Sequence, residues 1–152
     1  MSTDADNLPS WASPEHPEDS SADLELVARA FMTALRHPKS NFRGAPALHD
    51  KAVVTAISRA GDPVALAGEQ AHTFLLTVFN PDNAKFRMAA PEVRVEGNYG
   101  LVTRRFSAQE PGRGEECMVF HAEAWRNGQR WEFLRITLAS MPYFDKCEIQ
   151  EG

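Results

Sequence analysis

The stretch from Glu116 to Pro142, E-C-M-V-F-H-A-E-A-W-R-N-G-Q-R-W-E-F-L-R-I-T-L-A-S-M-P, constrains the fold more than any other part of the chain. Apolar and polar residues alternate, the chain meets Asn127-Gly128, and the alternation resumes. Two strand-like segments of about ten residues around a dipeptide that tolerates positive φ are the short-range signature of a β-hairpin. With Asn127 and Gly128 as the central turn residues, Arg126 opposes Gln129, Ala124 opposes Trp131, Ala122 opposes Phe133, Phe120 opposes Arg135 and Met118 opposes Thr137. One face is then Met118, Phe120, Ala122, Ala124, Trp131, Phe133, Arg135 and Thr137, apolar except at its deeper end. The other carries Cys117, Val119, His121, Glu123 and Trp125 against Leu138, Ile136, Leu134, Glu132 and Arg130. The assignment rests on register, because a slip of one residue turns every side chain of a strand to the opposite face.

A chain of 152 residues and ordinary apolar content is expected to form one domain. No run approaches the roughly 18 apolar residues of a membrane span, and the start has neither a basic region nor an apolar core of a signal peptide. The expected location is the cytoplasm. Cys117 and Cys147 lack the paired spacing of a zinc site and read as two free thiols, Cys117 as a buried small hydrophobe and Cys147 as an exposed one. The net charge of -5 has an address: residues 1–23 hold six acids and no Lys or Arg, so the other 15 acids face all 16 basic residues. The body is nearly neutral. A basic face for nucleic acid is absent, as is a basic amphipathic stretch for a membrane surface.

Residues 1–21 carry Pro9, Pro14 and Pro17 among Ser, Asp and Glu, and are expected to be a disordered acidic tail with Trp11 as its one docking candidate. A domain follows over 22–143, then a C-terminal tail over 144–152. Leu24, Val27, Phe31, Ala34 and Leu35 recur at helical spacing up to His37, behind Ser21 as a cap, and Pro38 ends the helix. Residues 39–50 read as a loop, Ala52 to Arg59 as a first strand, and Gly61-Asp62-Pro63 as a turn. Gly68 introduces a second helix with Ala71, Phe74, Leu75 and Val78 on one stripe, with His72 on its flank and Asn80-Pro81 as terminator. From Lys85 the pattern is all strand. Phe86 to Val95 is interrupted by Pro91 and suits an edge or a bulge, Gly97 to Gly100 turns the chain, and Leu101 to Ala108 returns it.

Three local features carry a resemblance to a known superfamily: A-L-H-D-K-A-V-V-T with a glycine turn and a G-E-Q-A helix start; V-R-V-E-G-N-Y-G-L-V-T; and the tryptophan-rich hairpin with a serine near its end. In this order, over roughly residues 23–142, the chain resembles the nuclear transport factor 2-like superfamily, which includes ketosteroid isomerases, polyketide-cyclase-like (SnoaL-like) proteins and the association domain of calmodulin-dependent kinases. The resemblance implies an α+β class, with a cone-shaped curved antiparallel sheet wrapped around two to three N-terminal helices, a cystatin-like roll. It also implies an internal pocket and a homodimer formed through the convex sheet face. Where many members carry a pair of histidines in the last strand, Arg135 and Thr137 stand here, so no catalytic residue is carried over.

Within that frame the expected ligand-binding residues are Arg135, Thr137, Phe120, Trp131, Phe133 and Met118. A guanidinium among aromatic and methyl groups is costly unless paired, and its planar fork suits a carboxylate or carbonyl ligand. The competing account is an ion pair with Glu69 or Glu123. His121 and Glu123 point the same way and read as an interface or surface contact, the alternative being an acid/base pair. Arg104 and Arg105 point to opposite faces, so at most one reaches a pocket, and they are expected to be a solvated charge and a sheet-edge ion pair. No cofactor, metal, nucleic acid or membrane is implied. The expected function is the binding of a small, partly apolar ligand in the cone. The alternatives are a cofactor-free isomerase, dehydratase or cyclase, and a dimerisation module without ligand.

Overall fold

A computed structural model of the chain describes residues 17–37, 47–58, 61–128, 130–141 and 147–152, with side chains from residue 21 onward. Residues 1–16 of the expected acidic tail, with Trp11, and most of the loop after Pro38 lie outside the described residues, while residues 17–21 of that tail are helical and not disordered. Helix α1 spans Pro17–Arg36 and buries Leu24, Phe31 and Leu35 of the predicted stripe together with Ala28 and Met32, while Val27 and Ala34 are half-buried at its margin. It begins earlier than the Ser21 cap suggests: Pro17 opens it, at a position that needs no backbone N–H. Strand β1 (Leu48–Ile57) leads into β2 (Pro63–Ala67), and helix α2 (Glu69–Val78) follows with Ala71 and Leu75 buried. Then come β3 (Lys85–Met88), β4 (Glu92–Glu96), β5 (Tyr99–Gln109), β6 (Glu116–Asn127) and β7 (Arg130–Ser140).

The seven strands form one curved, open sheet in the order β2-β1-β7-β6-β5-β3, with β4 also pairing β5. All ladders are antiparallel except β1 with β7. The apolar run around Pro91 is two short edge strands, β3 and β4, laid end to end along β5. Strand β2 is not anticipated by the sequence, because its mostly exposed P-V-A-L-A shows no alternation.

Both helices pack on one face of the sheet, here called the inner face. Phe31 of α1 meets Phe120 and Phe133 at ring-centroid distances of 6.4 and 5.1 Å, and Phe79 after α2 meets Phe106 at 5.3 Å. Burying each such ring contributes about 2–3 kcal/mol. Small residues let α1 approach. Gly100 lies so close that an added Cβ would stand 2.4 Å from Leu24 Cδ2 and 3.3 Å from the Trp131 ring. Ala122 and Ala124 alternate with the large rings in the same way, and both are fully buried.

The hairpin forms, with two differences from the expected register. Asn127 pairs with Arg130, so Gly128, at φ 68°, takes the first central turn position and Ala124 opposes Phe133 rather than Trp131. This shift exchanges partners but preserves faces. The second difference changes them. Between the pairs Ala124 with Phe133 and Glu123 with Arg135, Leu134 is an extra residue, a β-bulge. Trp131 and Phe133 point inward before it, and Ile136 and Leu138 point inward after it. The bulge therefore turns Arg135 and Thr137 to the outer face, which corrects the expectation that they share Phe120's face.

The two cysteines are joined rather than free, correcting that reading: Cys117 and Cys147 form a disulfide with Cα atoms 5.2 Å apart. Beyond it, residues 147–152 run beside β3 as a strap. Arg87 donates from Nη2 to the Cys147 carbonyl at 3.0 Å, Gly152 N donates to the Met88 carbonyl at 3.2 Å, and Ala89 pairs with Glu151. The strap occupies backbone groups of an edge strand that would otherwise be open.

Candidate functional site

On the outer face, Arg135 has a side chain 75% exposed and lies 3.9 Å from Glu123, one of the two acids expected to compete for it. The phenol of Tyr99 is held above the ordinary value of 10.0 by desolvation first, then by the neighbouring Glu123 carboxylate, with Arg135 opposing. His121 sits two residues along β6, its Nδ1 2.9 Å from Thr103 Oγ1, and Thr137 is its cross-strand partner on β7. These polar groups stand on an open sheet surface beside half-buried Val53, Leu101, Val119 and Leu134.

On the inner face, Phe120, Trp131 and Phe133 are 2%, 3% and 0% exposed and packed into the core. The Nε1 of Trp131 finds no hydrogen-bond acceptor among the described residues. Met118, also expected in the site, is half-buried and borders a cleft of about 530 Å³ between the end of α2 and strands β3, β5 and β6. Val78, Phe86 and Ala108 give that cleft an apolar wall, and Glu110, Arg113 and Glu116 stand on its rim. Glu116 accepts a hydrogen bond from Ser140 Oγ at 2.5 Å. Of the six expected residues, the fold thus gathers four on the inner face and separates Arg135 and Thr137 from them.

The inner face has an arginine of its own. Arg104 on β5 is 8% exposed and directly opposes Phe120 of β6, the place that the sequence register assigns to Arg135. Its Nε donates to the Ala89 carbonyl at 2.7 Å and its Nη2 reaches the Gly152 carbonyl at 3.5 Å. Arg105, the next residue, is exposed, so the alternation expected of this pair holds, while Arg104, buried and bonded to backbone oxygens, is neither a solvated charge nor a sheet-edge ion pair. Arg36, Phe86, Met88, Arg104, Glu151 and Gly152 line a second cleft, of about 410 Å³, and Phe86 borders both. The guanidinium of Arg104 is more easily deprotonated than an ordinary one, first because of burial and then through the positive charges of Arg29 and Arg36. Among the described residues no three His, Cys, Asp or Glu side chains converge as a metal site, and no helix is long and apolar enough to cross a membrane.

No protein-family model and no curated protein sequence matches the chain. Solved structures do. A candidate dehydratase of the NTF2-like family from Streptomyces avermitilis superposes with a TM-score of 0.61 at 14% identity, over 82% of this chain and 98% of the other. An NTF2-like protein of unknown function from Pseudomonas putida gives 0.63 at 15% identity, covering 80% and 86%. A candidate ketosteroid isomerase from Parabacteroides distasonis gives 0.54 at 15% identity, covering 80% and 88%. Identities this low speak for architecture alone. Two helices on the inner face of a curved seven-stranded sheet, matched over most of each of these structures, give this chain the nuclear transport factor 2-like fold.

Proposed function

We propose that the protein binds a small, partly apolar molecule in the inner-face cleft bordered by Phe86, Met118 and Val78. The observation that carries this reading is the cleft of about 530 Å³, within the usual size of ligand pockets, whose apolar wall is left half-exposed by an otherwise close-packed core. Titration with Nile red, an uncharged dye, tests it. Saturable fluorescence is expected, weakened several-fold by Met118→Gln at unchanged thermal midpoint. Absence of saturable binding, or an unaffected variant, sinks the reading.

A proton-transfer enzyme is the second reading, supported by Glu116, a carboxylate held by Ser140 on the rim of the same cleft. Candidate dehydratases and isomerases occur among the structural neighbours. In that case Glu116→Gln leaves dye binding intact and abolishes turnover of a bound substrate.

We further propose a homodimer through the outer face, where Val53, Leu101, Val119 and Leu134 are half-buried on the strands that carry Arg135 and Glu123 or border them. Light scattering should return twice 16.9 kDa, and a clean monomer at micromolar concentration refutes it. The cytoplasm is the proposed location, with the disulfide as the opposing observation, since disulfides persist mainly in oxidising compartments. Rapid alkylation in cells, followed by mass measurement, decides between them.

A further inference from the structure

The strap crosses the end of the sheet from the outer face to the inner one. Cys117 points to the outer face of β6, because Phe120 and Ala122, at positions of the opposite parity, point inward. Ser107 of β5 and Arg87 of β3 continue its row toward the sheet edge. Cys147 spans this row: its sulfur is bonded to Cys117, and its carbonyl accepts a hydrogen bond from Arg87 Nη2 at 3.0 Å. Ser107, between these two anchors, is buried although Arg105, two residues away on the same face, is exposed. From there the strap passes the edge of β3, where Glu151 pairs with Ala89 and Gly152 N donates to the Met88 carbonyl. It reaches the inner face, where an oxygen of Gly152 lies 3.5 Å from Arg104 Nη2 and the strap closes one side of the cleft lined by Arg36, Phe86 and Met88. Ile149 is the one buried side chain within residues 147–152.

The forces that hold this segment divide unequally. Its hydrogen bonds to an edge are individually weak, and ordering the strap opposes them. The disulfide, across a sequence separation of 30, instead keeps the strap at high local concentration beside the edge. We propose that the Cys117–Cys147 disulfide is a reversible latch, which a dithiol opens, releasing residues 147–152 from the β3 edge and uncovering the cleft at Arg104. Cys147 is half-buried and Cys117 buried, so Cys147 Sγ is the sulfur open to attack. The attacking thiolate bonds to Cys147 Sγ, the S–S bond breaks, and Cys117 leaves as a thiolate that takes a proton. The second thiolate of the dithiol then displaces Cys147 from the mixed disulfide, and that sulfur is protonated in turn. Two electrons and two protons have passed from the dithiol, now a disulfide, to the two cysteines, and the reverse exchange closes the latch. Neither cysteine nor Ile149 belongs to the core cluster built on Phe31, Phe106 and Phe133, so helices and sheet keep their packing when the strap leaves. The latch stands independently of the ligand reading, which rests on the Met118 cleft.

Hydrogen–deuterium exchange of the full chain, read by mass spectrometry, tests the latch with dithiothreitol as the dithiol. Residues 147–152 should exchange about tenfold faster after reduction, because the tether no longer holds them at the edge. Peptides from the middle of β6 and β7 should keep the rates of the oxidised protein. Replacing dithiothreitol by oxidised glutathione should restore slow exchange in the strap. A double variant, Cys117→Ser with Cys147→Ser, should match the reduced protein with no dithiol present, which separates the latch from other effects of the reagent. Strap exchange that is the same in both states overturns the proposal, as does a double variant with a slow strap or a strap that stays fast after reoxidation. So does a disulfide that millimolar dithiothreitol opens only in denaturant, or a reduced protein in which β6 and β7 lose protection together with the strap. Either of these would make the bond a fixed staple of the fold.

Discussion

Arg104 and Arg135 are the same side chain on neighbouring parts of one sheet, and their circumstances are opposite. Arg135, after the Leu134 bulge, faces solvent with Glu123 nearby. Arg104 faces the helices, opposes Phe120, and is held by the Ala89 carbonyl and an oxygen of Gly152. A protein gains little from the first arrangement, since an exposed ion pair is worth about 0–1 kcal/mol. The second depends on fixed partners, because a buried guanidinium must have its lost hydration replaced by hydrogen bonds. The inner face thus holds Arg104 by the backbone oxygens around it, and on the outer face solvent accommodates the charge.

Substitutions on the two faces put that contrast under strain. The largest loss is expected from Phe133→Ala, which removes a fully buried ring from contact with Phe31 and Phe120 and should cost about 3–5 kcal/mol in urea unfolding. A value below about 1 kcal/mol would mean that the inner face is loosely packed. Gly100→Ala comes next. Its added methyl meets Leu24 and Trp131, and α1 must shift, for an expected loss of about 1–3 kcal/mol with a measurable drop in thermal midpoint.

Arg135→Ala should change stability by less than about 1 kcal/mol at dilutions where the chain is monomeric, in keeping with a long exposed ion pair. At concentrations where the proposed dimer covers the outer face, the loss should be larger and grow with protein concentration. Tyr99→Phe is the smallest effect and is confined to alkaline pH. The raised phenol pKa means that the folded protein holds this proton longer than the unfolded chain does. That contribution is whole below pH 10.0 and is lost as pH rises through the folded-state value. Stability of wild type and variant, measured against pH, should therefore run parallel below pH 10.0 and converge or cross above it. Parallel curves throughout would mean that folding does not raise the Tyr99 phenol at all.

Much of this architecture is legible in the chain, and the exceptions share a cause. The helical stripe Leu24, Phe31, Leu35 is buried as its spacing demands, and the hairpin closes where glycine permits. The bulge was also written in the residues, as a phase slip: Trp131 and Phe133 are odd, Ile136 and Leu138 even. Strict alternation through that slip leaves a charge and a hydroxyl on an apolar face, and such a misfit signals an inserted residue. Strand β2 left no comparable trace, being exposed and unpatterned. The disulfide joins residues 30 apart whose meeting depends on the strap's path along β3.

Local periodicity by itself determined two amphipathic helices, an antiparallel sheet, an aromatic inner face and the fact that only one of Arg104 and Arg105 could enter it. Tertiary structure decided which one, turned Arg135 outward, closed Cys117 on Cys147, and set Arg36 across a cleft from Arg104. Side-chain periods are properties of a few consecutive residues, whereas register, bulge position and the company a charge keeps depend on partners far away in the chain.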